Sequence, residues 1–175
     1  MLIEFALILP LLLLLVLAII DFGYLIQTRL IITNVSREGG SIASRDLTLD
    51  PNLVDLLAIS GRPLNLAGGD GQIFITRIVA GQSDQSPAPT ITEQVSRGSL
   101  GVGTRYDAGA SGLGLSGTLY DRLTFRTSNG TADIKEVTTV EVYYKYRPIT
   151  PLANFIPGML RDDGDGMIIG SRAIF

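Results

Sequence analysis

The chain contains no cysteine and no histidine. Disulfides, thiolate nucleophiles, cysteine–histidine zinc sites and imidazole bases are excluded together, and with them most hydrolase and redox machinery. Lysine is almost missing as well: Lys135 and Lys145 are the only two, and neither stands in a Ser-x-x-Lys motif. Gly101-Val102-Gly103 lacks the third glycine and the strand-to-helix setting of a dinucleotide fingerprint, and no GxxxxGK[ST] run occurs. Acid pairs such as Asp162/Asp163 are too common on loops to argue for a glycosidase. No catalytic residue is assigned, and a non-enzymatic protein is expected. Basic clusters are missing too. Residues 1–45 balance Glu4, Asp21 and Glu38 against Arg29, Arg37 and Arg45, so the net charge of −3 comes from the remaining residues. Without a basic patch, no nucleic-acid partner is expected.

Charge is also absent from Phe5 to Ile20, and this absence decides the class. The stretch reads FALILPLLLLLVLAII, with an unbroken Leu/Val run from Leu11 to Leu17. With its flanks it gives about 26 mostly apolar positions interrupted only by Glu4 and Asp21, where roughly 20 residues suffice to cross a hydrocarbon core of about 30 Å. A cleavable secretory signal is disfavoured, because no Lys or Arg precedes Arg29 and Ala18-Ile19-Ile20-Asp21 is a poor cleavage site. A buried core helix is disfavoured by the small interior that 175 residues can build. The run reads as a single membrane-spanning helix, embedded in a lipid bilayer.

Within it, Glu4 has two readings. It can sit hydrated at the interface near the helix N-terminus, where the helix dipole favours an anion. Alternatively it pairs with a cation on another subunit, such as a free α-amine, since an unpaired acid deep in the bilayer costs about 2.5 kcal/mol or more. Pro10 cannot donate to the Ala6 carbonyl and is expected to kink the helix or free that group for another partner. The three arginines that follow the run would, by the positive-inside rule, send the C-terminal portion to the cytoplasm. Past Asp21 the spacing of Leu25, Ile32, Val35, Ile42 and Ala43 continues the helix to about residue 45, with Gly23 and Gly39-Gly40 weakening it locally. A helix of roughly 40 residues, near 60 Å, requires packing against something beyond its own small domain.

From residue 46 to 175 an α+β domain is expected. Asp50-Pro51 opens a short helix over Asn52–Ile59. Gln72–Val79 is a strand, a further short strand lies near Pro89–Val95, and the glycine-rich stretch 98–117 reads either as a surface loop for contacts or as a long flexible loop, the latter being favoured. Thr118–Arg126 reads as a strand, joined through an Asn129-Gly130 turn to a strong strand over Ala132–Tyr146. In the latter, Ile134, Val140, Val142, Tyr144 and Tyr146 share an apolar face. Lys135, Thr139, Glu141 and Lys145 share a polar one, which Val137 and Tyr143 interrupt and which is therefore expected to be partly covered. A brief helix is expected over Leu152–Met159 and a final strand over Met167–Phe175. Three or four antiparallel strands packed on the exposed half of the long helix follow.

Asp162, Asp163 and Asp165 invite an EF-hand alignment. It fails, because Arg161 falls on the first ligand position and Arg172 on that of the bidentate glutamate. A looser calcium site on the three carboxylates and a plain acidic turn both remain open. Asn34-Val35-Ser36 and Asn129-Gly130-Thr131 match the glycosylation triplet, a pattern common by chance.

Glu4-Phe5-Ala6-Leu7-Ile8-Leu9-Pro10, the leucine run, Ile20-Asp21-Phe22-Gly23 and Arg37-Glu38-Gly39 together resemble the TadE-like family of pseudopilins, which serve Tad-type pili of the type IV pilus group. Val140 to Pro151, ending Tyr146-Arg147-Pro148-Ile149-Thr150-Pro151, resembles the strand and Tyr-x-Pro-Leu-Thr-Pro segment of such proteins. The resemblance implies a pilin-like fold, with the long hydrophobic helix packed on a small antiparallel β-sheet domain. It also implies a structural role as a minor subunit in filament initiation or assembly. A main repeating subunit and a non-polymerising, membrane-anchored envelope binding protein are the alternatives. It places subunit assembly on Glu4, Phe5, Pro10 and Asp21, with Glu4 paired to the N-terminal amine of a neighbouring subunit. The implied partners are other pilin or pseudopilin subunits, the inner-membrane assembly platform and a prepilin peptidase that removes a basic leader. In the family the acid falls at the fifth mature position, whereas Glu4 is fourth here, so either one mature residue precedes Met1 or processing differs. A basic leader reverses the orientation derived from the arginines and places the C-terminal domain outside the cytoplasm.

Overall fold

In a computed structural model the described residues are 2–45, 49–128, 130–151 and 166–175, with side chains from Ile8 onward. Helix α1 spans Leu2–Ala43 and continues through Pro10. Its second half carries buried positions at Asp21, Thr28, Ile32, Val35, Ser36, Gly39, Gly40 and Ala43, a stripe at helical spacing that faces the rest of the chain. Helix α2, Pro51–Ser60, starts as expected: the Asp50 carboxylate accepts the Asn52 amide at 2.9 Å and Pro51 takes the first turn.

Four strands, β1 (Gly71–Val79), β2 (Thr90–Gly98), β3 (Glu136–Tyr146) and β4 (Met167–Ile174), form one antiparallel sheet in the order β2-β1-β3-β4. Period-two alternation sorts β1 and β3 onto two faces. Ile73 pairs with Val142 and Ile75 with Val140 on the face that receives α1 and α2. There Ile32, Val35, Leu53, Val54 and Leu57 complete a buried apolar core, each such side chain contributing about 1.5–3 kcal/mol on burial.

Small residues let α1 lie close. A Cβ at Gly39 would stand 2.6 Å from Leu57 Cδ1, and one at Gly40 would stand 2.2 Å from Phe175 Cδ2. The helix gives up about 1 kcal/mol of propensity at each glycine and gains a closer seat on α2 and β4. The C-terminal end of α1 is met by Arg77, a buried side chain of β1 whose Nη2 donates to the Ala43 carbonyl at 3.1 Å, a cation placed where the helix dipole favours one. Arg77 also pairs with Glu93 of β2 at 3.2 Å, and the same Glu93 oxygen accepts the Leu49 amide at 2.9 Å.

The opposite sheet face is covered by the connection between β2 and β3. The expected hairpin is not formed here. Thr118–Arg126 is not a strand: helix α3 occupies Gly117–Leu123, because Leu119 and Leu123, one turn apart, both join a second apolar cluster with Ile78, Tyr106 and Val137. The hairpin expected around residues 129 and 130 is accordingly reduced to a single Arg126–Thr131 bridge. Strand β3 therefore begins at Glu136 rather than Ala132, and Ile134 packs with the second cluster instead of sharing the face of Val140. The polar face of β3 is partly covered, as expected: Thr139 and Glu141 are wholly buried, whereas Lys135 is exposed. The expected helix over Leu152–Met159 lies outside the described residues.

Candidate assembly surface and the Asp21 latch

Along α1 the chain divides into two environments. From Ile8 to Val16, and again at Ile19 and Ile20, every side chain is exposed, including Pro10; only Leu17 and Ala18 are half-covered. The helix is long and apolar enough to cross a membrane, and its most apolar stretch receives almost no cover from the rest of the described chain. Beyond Ile20 the inward side packs on the sheet, while Phe22, Ile26 and Leu30 carry an apolar stripe onward along the outer side at i, i+4 and i+8.

Asp21 sits at this boundary and is only 4% exposed. Its Oδ1 accepts the backbone amides of Ile149 and Thr150, both at 3.0 Å, and its Oδ2 accepts the Thr150 hydroxyl. The Asp21 carbonyl oxygen accepts the Tyr146 hydroxyl at 2.9 Å, and the Tyr146 ring lies 5.6 Å from that of Tyr24. A carboxylate in an otherwise apolar helix is thus satisfied by donors from a segment more than a hundred residues away, as a buried charge requires. Burial first, then the neighbouring Asp21 and Tyr24, push the Tyr146 phenol up, so it remains the donor at neutral pH. Tyr144 is raised likewise, by burial and by its contact with Tyr24.

These contacts join the two stretches that the sequence marks separately, Ile20-Asp21-Phe22-Gly23 and Tyr146-Arg147-Pro148-Ile149-Thr150-Pro151. Asp21 is engaged within its own chain. Pro10 lies on the exposed apolar surface, away from the latch. Helix α1 includes Glu4 and Phe5, but their side chains lie outside the described set, as do Asp162, Asp163 and Asp165. No group of three acids able to hold a metal occurs among the described residues.

One polar centre escaped the sequence reading. Glu141, on the central strand β3, has no exposed surface. It accepts the Thr104 hydroxyl at 2.6 Å, the Arg105 amide at 3.1 Å and the Tyr143 hydroxyl at 2.9 Å. Gln94 adds donations to Thr76 Oγ1 at 2.8 Å and to the Tyr106 carbonyl at 2.9 Å. The glycine-rich stretch expected to be a loose loop is therefore fastened to the sheet at Thr104, Arg105 and Tyr106. Burial, followed by the hydrogen bond to Glu141, pushes the Tyr143 phenol up to about 12. Tyr106 is raised by burial and the Glu141 charge. The signal in the sequence was the interruption of the polar face by Val137 and Tyr143.

No curated protein and no solved structure matches the chain. Residues 1–41, the length of α1 almost to its end, match the family model described as TadE-like protein.

Proposed function

We propose that the chain is a structural, pilin-like subunit of a Tad-type pilus that acts as a minor pseudopilin in filament initiation or assembly. The observation that carries this reading is the coincidence of the TadE-like match with an apolar half-helix that its own domain leaves uncovered. Such a surface has two stable environments, a bilayer or a bundle of similar helices, and moving between them is what assembly demands of a pilin. Before assembly α1 anchors the chain in the cytoplasmic membrane with the β domain outside the cytoplasm. Afterwards α1 packs among the helices of neighbouring subunits. Glu4, paired with a neighbour's N-terminal amine, selects axial register more than it holds subunits together, because desolvation consumes much of the attraction of a buried ion pair. The partners in this scheme are other pilin subunits, the inner-membrane assembly platform and a prepilin peptidase. The subunit has no catalytic task.

Sheared surface filaments from cells that carry the complete pilus system provide the test. A minor subunit is present in trace amounts, its deletion lowers filament number, and Glu4→Ala lowers its incorporation. Abundance equal to the filament mass would make it the main subunit. Unchanged filaments in a deletion strain would refute the assembly role.

A further inference from the structure

We propose that the 146–150 segment is a second membrane contact, a foot that sets the β domain directly on the lipid interface with Ile149 inserted. The proposal rests on the anchor reading above and goes beyond it by assigning a lipid-binding surface on the domain itself. Three observations carry it. First, from Leu2 to Ile20 the helix rises about 28 Å at 1.5 Å per residue, close to a hydrocarbon core of about 30 Å, which puts Asp21 at the boundary with the headgroups. Secondly, the Ile149 amide is tied to Asp21 Oδ1 at 3.0 Å, so Ile149 is held at the same depth. Its side chain is 64% exposed, an apolar group presented at the level where lipid begins. Thirdly, Tyr24, Tyr144 and Tyr146 gather at this end of the sheet, with the rings of Tyr24 and Tyr146 in contact at 5.6 Å and Tyr144 beside Tyr24. Tyrosine is the residue that membrane proteins concentrate at headgroup depth. The latch thereby acts as a depth stop, fixing the height of the sheet above the bilayer.

The sequence contains no cysteine, so single spin labels report position cleanly. Ile149→Cys, Leu14→Cys and Leu56→Cys are labelled in nanodiscs of phosphatidylethanolamine and phosphatidylglycerol, and collision rates with oxygen and with a water-soluble nickel chelate are compared. The expected result is an oxygen-to-nickel ratio for Ile149 several-fold above that of Leu56, an exposed position on α2, and below that of Leu14. An Ile149 ratio equal to that of Leu56, with Leu14 in lipid, overturns the foot and leaves the anchor intact. Water exposure at Leu14 as well overturns both. Protection of Ile149 that grows with protein density rather than with lipid depth would identify a neighbouring chain as the cover and overturn the proposal. Should Ile149→Cys fail to fold, the wild-type chain in nanodiscs with paramagnetic headgroups gives the same answer. The Ile149 and Thr150 amide resonances broaden while that of Leu56 does not; equal broadening at all three refutes the foot.

Discussion

Replacing Glu141 provides the sharpest test of how the glycine-rich segment is held. The carboxylate lies on the central strand, has no exposed surface, and receives a hydroxyl and an amide from that segment and a phenol from its own strand. A hydrogen bond to a charged acceptor contributes roughly 1.5–3 kcal/mol, but burying the carboxylate costs several kcal/mol, so the three bonds do not simply add. In Glu141→Ala the Thr104 and Tyr143 hydroxyls can turn toward each other or toward entering water, whereas the Arg105 amide is fixed. One stranded amide costs about 1–3 kcal/mol, and the cavity raises the total to about 2–4 kcal/mol. Glu141→Gln is milder. Its carbonyl replaces Oε2 for Thr104 and Arg105, its amide donates to Tyr143, and only the charge assistance is lost, for a cost of about 1–2 kcal/mol.

Native-state hydrogen exchange at the Arg105 and Tyr106 amides reads this locally. Because 1.36 kcal/mol is a factor of ten, Glu141→Ala should accelerate exchange there by roughly 30- to 1000-fold, and Glu141→Gln by about 5- to 30-fold. Tyr143 supplies an independent readout. Its phenol is pushed up to about 12, by burial first and by Glu141 second, so in Glu141→Gln it should titrate lower yet still above 10, because the burial remains. Arg105 exchange within threefold of wild type in Glu141→Ala would refute the idea that this carboxylate pins the segment.

Asp21→Ala strands the Ile149 and Thr150 amides and should cost about 2–4 kcal/mol, read as loss of exchange protection at those two amides in the detergent-solubilised chain, with β1 amides unchanged. Gly39→Val drives methyls into the buried Leu57 side chain and should cost about 1–3 kcal/mol in urea unfolding, despite the better helix propensity of valine; a stabilised variant would show that the close seat of α1 on α2 is not needed. Alkaline pH should destabilise the domain: Tyr106, Tyr143, Tyr144 and Tyr146 all have raised phenols. Ionisation begins near pH 10 in the unfolded chain and later in the folded one, so stability is intact below pH 10 and declines toward pH 12. A urea midpoint unchanged between pH 9 and 11.5 would contradict this.

What the sequence makes legible is local. The apolar run, the Asp50-Pro51 helix start and the β-branched stretches of β1, β3 and β4 announce themselves within a dozen residues, because helix and strand periods are properties of neighbouring positions. Alternation places Glu141 on a polar face that Val137 and Tyr143 mark as partly covered, but it does not report what covers that face. Its cover is a stretch without any period. Helix α3 is not legible for a related reason: in seven residues, Leu119 and Leu123 fit a helical turn and an alternating strand almost equally, and packing against Ile78 decides. The Asp21 latch stands between these cases. An acid in an apolar run and the Tyr-x-Pro-x-Thr-Pro segment are each conspicuous, and each resembles the same kind of protein. Their contact spans more than a hundred residues and follows only once β3 is seen to run back along α1 and to end beside Asp21. The expense of Asp21 in an apolar helix was therefore a usable signal. A buried charge requires donors, α1 supplies no side-chain cation near it, and so the donors had to come from a distant part of the fold.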